Sequence, residues 1–250
     1  MDNKHKIIEI PNWGKITITP EAKVFANRSE LVALYWRNHP RFRFLKMCSK
    51  DAKLFDIGTG PGGLSFWPEW EMPKRPDIEM HGCDLFPCPN KERYKKFVEM
   101  NIDIDNFPYA PSFFDAILSS HVIEHLQDIG GFARKISEVL KPNGFVYLET
   151  PTTDSINFPK RDVFLNAGIP TTTTNFYDDE THIKPVSLQQ ILKIFTKHKF
   201  LACESGTIKM PFLEEPLITQ AYTERDQECG SYGLWSLLGF AHYVILKKIN

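Results

Sequence analysis

Short apolar runs alternate with longer amphipathic or polar segments through the middle of the chain. Five of these runs have the character of buried strands, at residues 53–57, 78–83, 100–102, 113–119 and 145–149. Strands that alternate with helices predict an α/β fold with a doubly wound parallel sheet and right-handed crossovers. Ligands of such sheets bind above the carboxyl ends of the strands. Asp56, Asp84, Asp103 and Ser119 end or follow predicted strands, so we expect a ligand site there.

The other predicted elements surround this alternation. Ser29 is the expected N-cap of a helix, and residues 1–28 before it form an N-terminal extension. Tryptophans and prolines within 64–76 predict a short, irregular helix after the first strand. The remaining elements are strands at 6–10 and 15–19, helices at 91–98 and 130–140, and a turn at 141–144. We therefore expect residues 29–250 to form one domain.

The segment 54–65 is the most informative stretch of the chain. Its apolar run ends at Asp56, and glycines follow at positions 58, 60, 62 and 63. Glycines allow a sharp turn and leave the backbone bare, and a helix that begins there aims its N–H groups at a ligand. A P-loop is excluded because no Gly-Lys-Ser/Thr follows the glycines. The pattern predicts a nucleotide-type binding loop.

Two cofactor classes fit this loop. The spacing Gly58-x-Gly60-x-x-Gly63, with Asp84 about 20 residues further on, also matches the dinucleotide fingerprint. A pyrophosphate beside Asp56 would bring two like charges together in a partly dry cleft. The same carboxylate suits the ammonium group of S-adenosylmethionine. The glycines alone leave NAD open, and Asp56 favours S-adenosylmethionine.

Composition narrows the class of protein. The chain has 250 residues, of which 42% are hydrophobic and 24% charged, as in a soluble globular domain with a sizeable core. A net charge of −1 without a basic block argues against a nucleic-acid partner. The five cysteines are odd in number and form no C-x-x-C pair, which predicts reduced thiols and a cytoplasmic location. The polar N-terminal residues lead us to expect no signal peptide. The apolar stretch 232–246 is too short for a membrane span, so we expect it in the core.

Four stretches follow one another between residues 50 and 151. They are LFDIGTGPGG at 54–63, GCDL at 82–85, FFDAILSSHVIEHL at 113–126 and LKPNGFVYLETP at 140–151. In this combination the chain resembles the class I S-adenosylmethionine-dependent methyltransferases. The resemblance implies a Rossmann-like, seven-stranded, mostly parallel sheet with an antiparallel last strand. The two further strands would lie at 200–208 and 242–247, after a helix at 187–198.

The resemblance also implies a site for S-adenosylmethionine and its product S-adenosylhomocysteine. Asp56 and the glycine backbone would hold the methionine part, and Asp84 would accept both ribose hydroxyls. Leu85 would lie against the adenine face, with Asp103 at the adenine amino edge. The complete implied set is Asp56, Gly58, Thr59, Gly60, Gly62, Asp84, Leu85, Asp103, Ile104 and Ser119.

Residues 121–125 match H-x-x-E-H, the spacing of one class of zinc peptidase. On a helix this spacing places His121 and His125 on one face, as zinc requires. The match follows a strand end inside the methyltransferase-like block, and no third ligand can be nominated, so we expect no metal. We expect instead that His121 or His125 is a general base or contacts the acceptor, with Glu124 beside them. Packed structural histidines are the alternative.

The segment 152–186 is long for a connection and rich in threonine, asparagine and aspartate. Its stretch DDETHIKP at 178–185 resembles bacterial methyltransferases that modify sugars of surface polysaccharides. We interpret it as an acceptor-side insertion, in which His182 takes a proton and Tyr177 packs on a sugar face. Asp178 and Thr181 complete the predicted acceptor contacts. An acidic loop ordered by salt bridges and a divalent-cation site at 178–180 are the alternatives.

These observations predict an S-adenosylmethionine-dependent methyltransferase. A hydroxyl acceptor loses its proton as it attacks, so the three histidines favour O-methylation. The resemblance of residues 178–185 implies that the acceptor is a sugar or sugar phosphate for a bacterial surface polysaccharide or capsule. The expected partner is this small polar acceptor, and the oligomeric state stays open, a homodimer included. The alternatives are N- or O-methylation of another small metabolite, an NAD-dependent oxidoreductase, and a cofactor-binding module without catalysis.

Overall fold

The computed structural model describes residues 5–20 and 27–250 of the chain. The chain divides into two compact units. The sheet unit comprises Pro40–Thr150, Val186–Gly206 and His242–Asn250. The helical unit comprises the described residues up to His39, together with Pro151–Pro185 and Thr207–Ala241. Within the described ranges, no helix is both long enough and apolar enough to cross a membrane.

The described residues include nine strands, of which seven form one sheet. Their bounds are β1 Lys6–Ile10, β2 Gly14–Ile18, β3 Lys53–Ile57, β4 Glu79–Asp84, β5 Lys96–Glu99, β6 Phe114–Ser120, β7 Leu140–Pro151, β8 Phe200–Thr207 and β9 Ala241–Lys248. The large sheet has the order β5-β4-β3-β6-β7-β9-β8, and β3 is parallel to both β4 and β6. The predicted mostly parallel, Rossmann-like sheet with antiparallel pairing at its end is confirmed.

Seven α-helices lie in the described ranges. Their bounds are α1 Arg28–Asn38, α2 Pro40–Lys46, α3 Ile129–Val139, α4 Arg161–Asn166, α5 Leu188–Thr196, α6 Pro211–Glu224 and α7 Gln227–Leu238. Asn27 caps α1 in place of the predicted Ser29, because the Asn27 side chain accepts the backbone N–H of Glu30 at 3.0 Å. Ser187 caps α5 through a capping box with Gln190.

Apolar side chains of the central strands form the core of the sheet unit. β3 is buried along nearly its whole length, as expected for a parallel strand that is covered on both faces. Phe55 of β3 and Phe114 of β6 stack with their ring centroids 4.7 Å apart. α3 turns Phe132 and Ile136 toward the same core. This packing fixes the carboxyl ends of β3, β4 and β6, where the predicted cofactor residues lie.

The helical unit gathers three separate chain segments. β1 and β2 form an antiparallel hairpin, and α6 and α7 pack closely because α7 carries glycines at the contact. A Cβ at Gly233 would lie 2.7 Å from Cγ1 of Ile218. Tyr35 of α1 stacks on Tyr232 of α7 with ring centroids 4.3 Å apart. Thr19, directly after β2, donates its hydroxyl to the Glu215 carboxylate of α6, so the described part of the predicted N-terminal extension packs against α6.

Two predicted elements next to β5 are wrong. The helix expected at 91–98 is a 3-10 turn, Lys91–Arg93, followed by β5, and the strand expected at 100–102 is a turn. Tyr94 accounts for the difference, because its buried hydroxyl donates a hydrogen bond of 2.7 Å to Asp56 and draws the chain toward the sheet. The chain then continues as a strand beside β4.

The turn expected at 141–144 lies within β7 rather than before it. Asn143 has a left-handed backbone with φ 63°, at an irregularity where the register between β6 and β7 shifts. The short irregular helix expected within 64–76 is confirmed as the 3-10 turn Gly63–Phe66. The strand predicted at 53–57 has the observed bounds of β3.

Candidate functional site

The glycine loop follows β3 and requires glycine at specific positions. Gly58 has a φ of 79°, and a Cβ there would lie 2.2 Å from Cγ2 of Val122. Gly60 has a φ of 51°, but a Cβ at Gly60 or at Gly63 would have no atom within 4 Å. Gly58 is therefore required by protein packing, whereas the backbone at Gly60 borders open space that a ligand can enter.

Asp84 ends β4 beside this loop. Its Oδ2 accepts the backbone N–H of Gly60 at 2.8 Å, and its Oδ1 accepts that of Phe86 at 3.0 Å. Each carboxylate oxygen can accept two hydrogen bonds, so two acceptor positions remain for the hydroxyls of a ribose. Leu85 is 58% exposed beside the carboxylate and presents an apolar surface.

Asp56 is buried beneath the loop, with 3% of its surface exposed. Burial raises the pKa of Asp56 to about 7, against the hydrogen bond from Tyr94 and the charge of Arg41, which lower it. The charge of Asp84 raises it further. A cationic group of a ligand near this carboxylate would favour its ionised form.

The other predicted cofactor residues lie around the same strand ends. Asp103 lies in a turn beyond β5, where its carboxylate accepts the backbone N–H groups of Gln127 and Asp128. Ile104 is 76% exposed. The Ser119 hydroxyl is buried at the end of β6 and has no hydrogen-bond partner among the described residues. Thr59 and Gly62 complete the turn of the loop, where the Gly62 N–H donates to the Thr59 carbonyl.

His121 lies directly after β6 in a left-handed conformation with φ 54°. The helix assumed for the H-x-x-E-H spacing is therefore wrong, because only Ile123–His125 form a 3-10 turn. His125 is half-buried in that turn, and its backbone N–H donates to the Val122 carbonyl.

Both ring nitrogens of His121 face carboxylates. Nδ1 lies 3.3 Å from Oε1 of Glu124, and Nε2 lies 3.1 Å from Oε1 of Glu149. Ionised carboxylates only accept hydrogen bonds, so both ring nitrogens donate to the charged forms of these glutamates. Burial lowers the pKa of His121, but the two carboxylates outweigh this effect and raise it to about 9. At neutral pH His121 is an imidazolium, which does not fit the predicted role of general base.

Sequence reasoning missed Glu149, a partner of this histidine, and Arg41, which in turn binds Glu149. Glu149 is buried near the end of β7, where Arg41 of α2 binds its carboxylate through Nε and Nη2 and the Tyr147 hydroxyl donates at 2.6 Å. A glutamate within the apolar end of a strand is the signal for such a pair, because a buried carboxylate requires a partner. No pattern in the sequence around Arg41 indicates a buried partner, because Arg41 is distant in sequence from Glu149.

The predicted acceptor contact Glu124 is fully buried. Its Oε2 accepts the Thr150 hydroxyl at 2.9 Å, and its Oε1 faces His121. Glu124 therefore supports the position of His121 from within the sheet unit.

The predicted acceptor residues of the 152–186 insertion lie in the helical unit. Asp178 accepts the backbone N–H groups of Thr174 and Asn175 and so orders the loop itself. Thr181 donates its hydroxyl to Asp179. Tyr177 is 56% exposed, which leaves ring surface for a ligand.

His182 in the same loop has a defined tautomer. Its Nδ1 lies 2.5 Å from the carbonyl oxygen of Phe176, and a carbonyl only accepts. Nδ1 therefore carries the proton in the neutral ring, and the lone pair is on Nε2. Asp179 lies 3.9 Å from Nε2. This arrangement allows His182 to accept a proton at Nε2.

The residues of the sheet unit fit S-adenosylmethionine. The open backbone at Gly60 admits a ligand, Asp84 retains acceptors for two ribose hydroxyls, and exposed Leu85 offers an apolar contact for a base. Asp56 supplies the negative charge that an ammonium group requires.

A family model described as "Methyltransferase domain" matches residues 28–201. The chain belongs to this methyltransferase family. Membership confirms the predicted cofactor, S-adenosylmethionine, and decides against the NAD that the glycine spacing alone left open.

Curated relatives match shorter parts of the chain. Phosphoethanolamine N-methyltransferase 3 of Arabidopsis thaliana is 32% identical over 117 residues, which are 42% of this chain and 23% of that protein. The ubiquinone biosynthesis O-methyltransferase of Azorhizobium caulinodans is 30% identical over 108 residues, 40% of this chain and 41% of that protein. The chain thus spans less than half the length of these two relatives.

Solved structures share the fold at low identity. The geranyl diphosphate C-methyltransferase of Streptomyces coelicolor, in complex with Mg²⁺, geranyl diphosphate and S-adenosyl-L-homocysteine, superposes with a TM-score of 0.61 at 13% identity. The match covers 92% of this chain and 88% of that chain. The likeness establishes the Rossmann-like architecture.

Proposed function

We propose that the chain is an S-adenosylmethionine-dependent methyltransferase that methylates a hydroxyl of a sugar or sugar phosphate, in the cytoplasm, for a bacterial surface polysaccharide. The main support for S-adenosylmethionine as the methyl donor is the open glycine backbone beside Asp84. The acceptor half is supported by the polar insertion, where exposed Tyr177 and the Nε2 lone pair of His182 suit a hydroxylated ligand. Five cysteines without a disulfide among the described residues support the location.

The residues divide the work of an in-line methyl transfer. When bound, the cofactor supplies a methyl group on a positively charged sulfur, which makes that carbon reactive. Asp84 and the glycine backbone hold the donor, and holding donor and acceptor in line provides most of the rate enhancement. His182 takes the acceptor proton at Nε2 as the hydroxyl attacks.

His121 has a different part in this proposal. Its two nitrogens are committed to Glu124 and Glu149, so it does not take up a proton during the reaction. It is a positioning residue that joins the ends of β6 and β7 through buried charges. Of the three histidines to which the sequence assigned a base role, His121 is thereby set aside, and we assign the proton transfer to His182.

The donor half is tested by calorimetric titration with S-adenosylhomocysteine. Asp84→Ala removes two hydrogen bonds to a charged acceptor, each worth at least about 1.5 kcal/mol. We expect the dissociation constant to rise about 100-fold or more. Asp154→Ala, on an exposed turn of the helical unit, is the matched control and should bind as the wild type does. Equal affinity of Asp84→Ala and wild type would exclude the proposed ribose contact.

The acceptor half is tested by release of S-adenosylhomocysteine with a panel of sugars, sugar phosphates, phenols, amines and lipids. We expect turnover with the sugar class and a loss of kcat of about 100-fold or more in His182→Ala, as for removal of a general base. His198→Ala, in the sheet unit after α5, is the control and should retain kcat. Activity confined to amines or lipids would overturn the acceptor class and leave the cofactor assignment intact.

A further inference from the structure

An open cleft of about 1140 Å³ lies entirely within the helical unit. It is bounded by the start of α1, the end of α6, the first turns of α7 and Thr172. Its volume slightly exceeds the range of about 300–1,000 Å³ that is typical of small-molecule sites. The cleft therefore has room for a ligand of several linked rings.

The side chains that line the cleft share one chemical character. They combine two aromatic rings with amides, hydroxyls and charged groups, and no aliphatic side chain is among the described residues that line it. Three acids and two arginines give the lining a slight excess of negative charge, which disfavours phosphate and sulfate. Purely apolar ligands would leave the amides and carboxylates without hydrogen-bond partners. The lining suits an uncharged ligand with many hydroxyls.

The two aromatic rings are held rigidly. Tyr232 stacks on Tyr35, and its hydroxyl donates to Oε1 of Glu228 at 2.8 Å. Trp235 donates its indole N–H to the Thr173 carbonyl at 2.5 Å and stacks against Phe240 with ring centroids 6.0 Å apart. Flat rings fixed in this way provide contact surface without losing rotamer entropy on binding.

The charged groups of the cleft are also pre-arranged. Arg28 binds Asp226 through Nε and Glu228 through Nη2, which neutralises part of the acidic lining. Arg28 has five N–H donors, and these two bonds leave others for a ligand. Gln220 and Glu224 present further hydrogen-bonding groups on the same cleft, from the last turns of α6.

We infer that this cleft is a binding site for a neutral oligosaccharide, with sugar rings on Tyr232 and Trp235 and hydroxyls on Arg28, Gln220 and Glu224. The inference rests on the proposed function, because it extends the acceptor from a single sugar to a glycan segment. Aromatic rings with acids also bind quaternary ammonium ions. The arginines of the lining disfavour a cation, and choline is therefore a comparison ligand in the test.

The experiment is saturation-transfer NMR of the full chain with a panel of neutral trisaccharides, choline and inorganic phosphate. The double variant Gln220→Ala/Glu224→Ala changes two partly or fully exposed residues of α6, so the fold should be retained. We expect binding of at least one trisaccharide, with a dissociation constant at least about tenfold higher in the double variant. Gln189→Ala, an exposed glutamine on α5, is the matched control and should bind as wild type.

Three outcomes would overturn the inference. They are no binding of any trisaccharide, wild-type affinity in the double variant, and binding of choline or phosphate in place of the trisaccharides. The same samples are titrated with S-adenosylhomocysteine, which reports on the sheet unit. If the wild-type chain binds S-adenosylhomocysteine normally but no trisaccharide, the cleft alone is refuted, whereas absence of both in the wild type refutes the proposed function itself.

Discussion

Alanine substitutions at Gly58 and Gly60 should distinguish the contribution of the glycine loop to stability from its contribution to cofactor binding. An alanine at Gly58 would adopt a left-handed backbone, which costs about 1–2 kcal/mol. Its Cβ would also lie 2.2 Å from Val122 Cγ2, and overpacking of this kind costs about 1–3 kcal/mol. Gly58→Ala should therefore lose about 2–5 kcal/mol of unfolding free energy. Gly60→Ala meets no atom and should lose only the backbone term.

Cofactor binding should show the reverse order, with Gly60→Ala affected more than Gly58→Ala. The Cβ of Gly60→Ala would enter the open space above the loop, so affinity for S-adenosylhomocysteine should fall while most stability remains. Urea unfolding measures the first quantity, and calorimetric titration the second. Both measurements use the same preparations, so each variant provides the control for the other.

Val122→Ala provides a direct check on the packing argument. It removes the Cγ2 atom that collides with the new Cβ, so the double variant Gly58→Ala/Val122→Ala should be more stable than the sum of the single effects predicts. The expected coupling free energy is about 1–3 kcal/mol, as for residues in contact. Additive effects, or Gly60→Ala binding S-adenosylhomocysteine as wild type does, would refute this reasoning.

Three further predictions concern the buried charges. Burial lowers the pKa of His121, but the carboxylates of Glu124 and Glu149 raise it to about 9, above its ordinary 6.5. The free energy of unfolding, measured in urea, should therefore fall as the pH rises from 6.5 to 9, and His121→Gln should lack this fall. Arg41→Met removes the arginine partner of the buried Glu149 carboxylate and should cost about 3–5 kcal/mol, whereas Arg134→Met breaks an exposed pair and should cost at most about 0.5 kcal/mol by the same assay. Burial raises the pKa of Asp56 to about 7 from its ordinary 3.8, so the stability of the wild type should fall as the pH rises from 3.8 to 7. Asp56→Asn should lack this fall and therefore become more stable relative to wild type over that range. Calorimetry should show weaker S-adenosylhomocysteine binding by the variant.

Local sequence patterns were sufficient to predict β3, the glycine loop that follows it and the position of Asp84. The bounds of β3 followed from an apolar run that ends at an acid and a glycine, and the glycine loop followed from spacing alone. Gly58, Gly60 and Gly62 all have left-handed backbones, which is the property that made the motif informative. Asp84 could be predicted because a single crossover connects β3 to β4, which fixes the number of residues between the glycine loop and the end of β4.

Tertiary contacts decided the parts that the sequence did not predict. Charged residues around Tyr94 have the pattern of a surface helix, but the bond from Tyr94 to Asp56 and pairing with β4 favour a strand. The H-x-x-E-H spacing suggests a helix, yet His121 turns left-handed to meet Glu149. Arg41 was missed because nothing near it in sequence indicates a buried partner. The cleft of the helical unit joins segments far apart in the chain, so no local motif marks it.

The strand order has a consequence for how the chain acquires its structure during synthesis. β9 lies between β7 and β8, although β8 is made first. A nascent chain that has released β8 but not β9 therefore has no neighbouring strand to which β8 can pair. Most residues of β8 are exposed even in the finished sheet. Completion of this edge must wait for the last strand, and until then β8 is a segment on which chaperones can act.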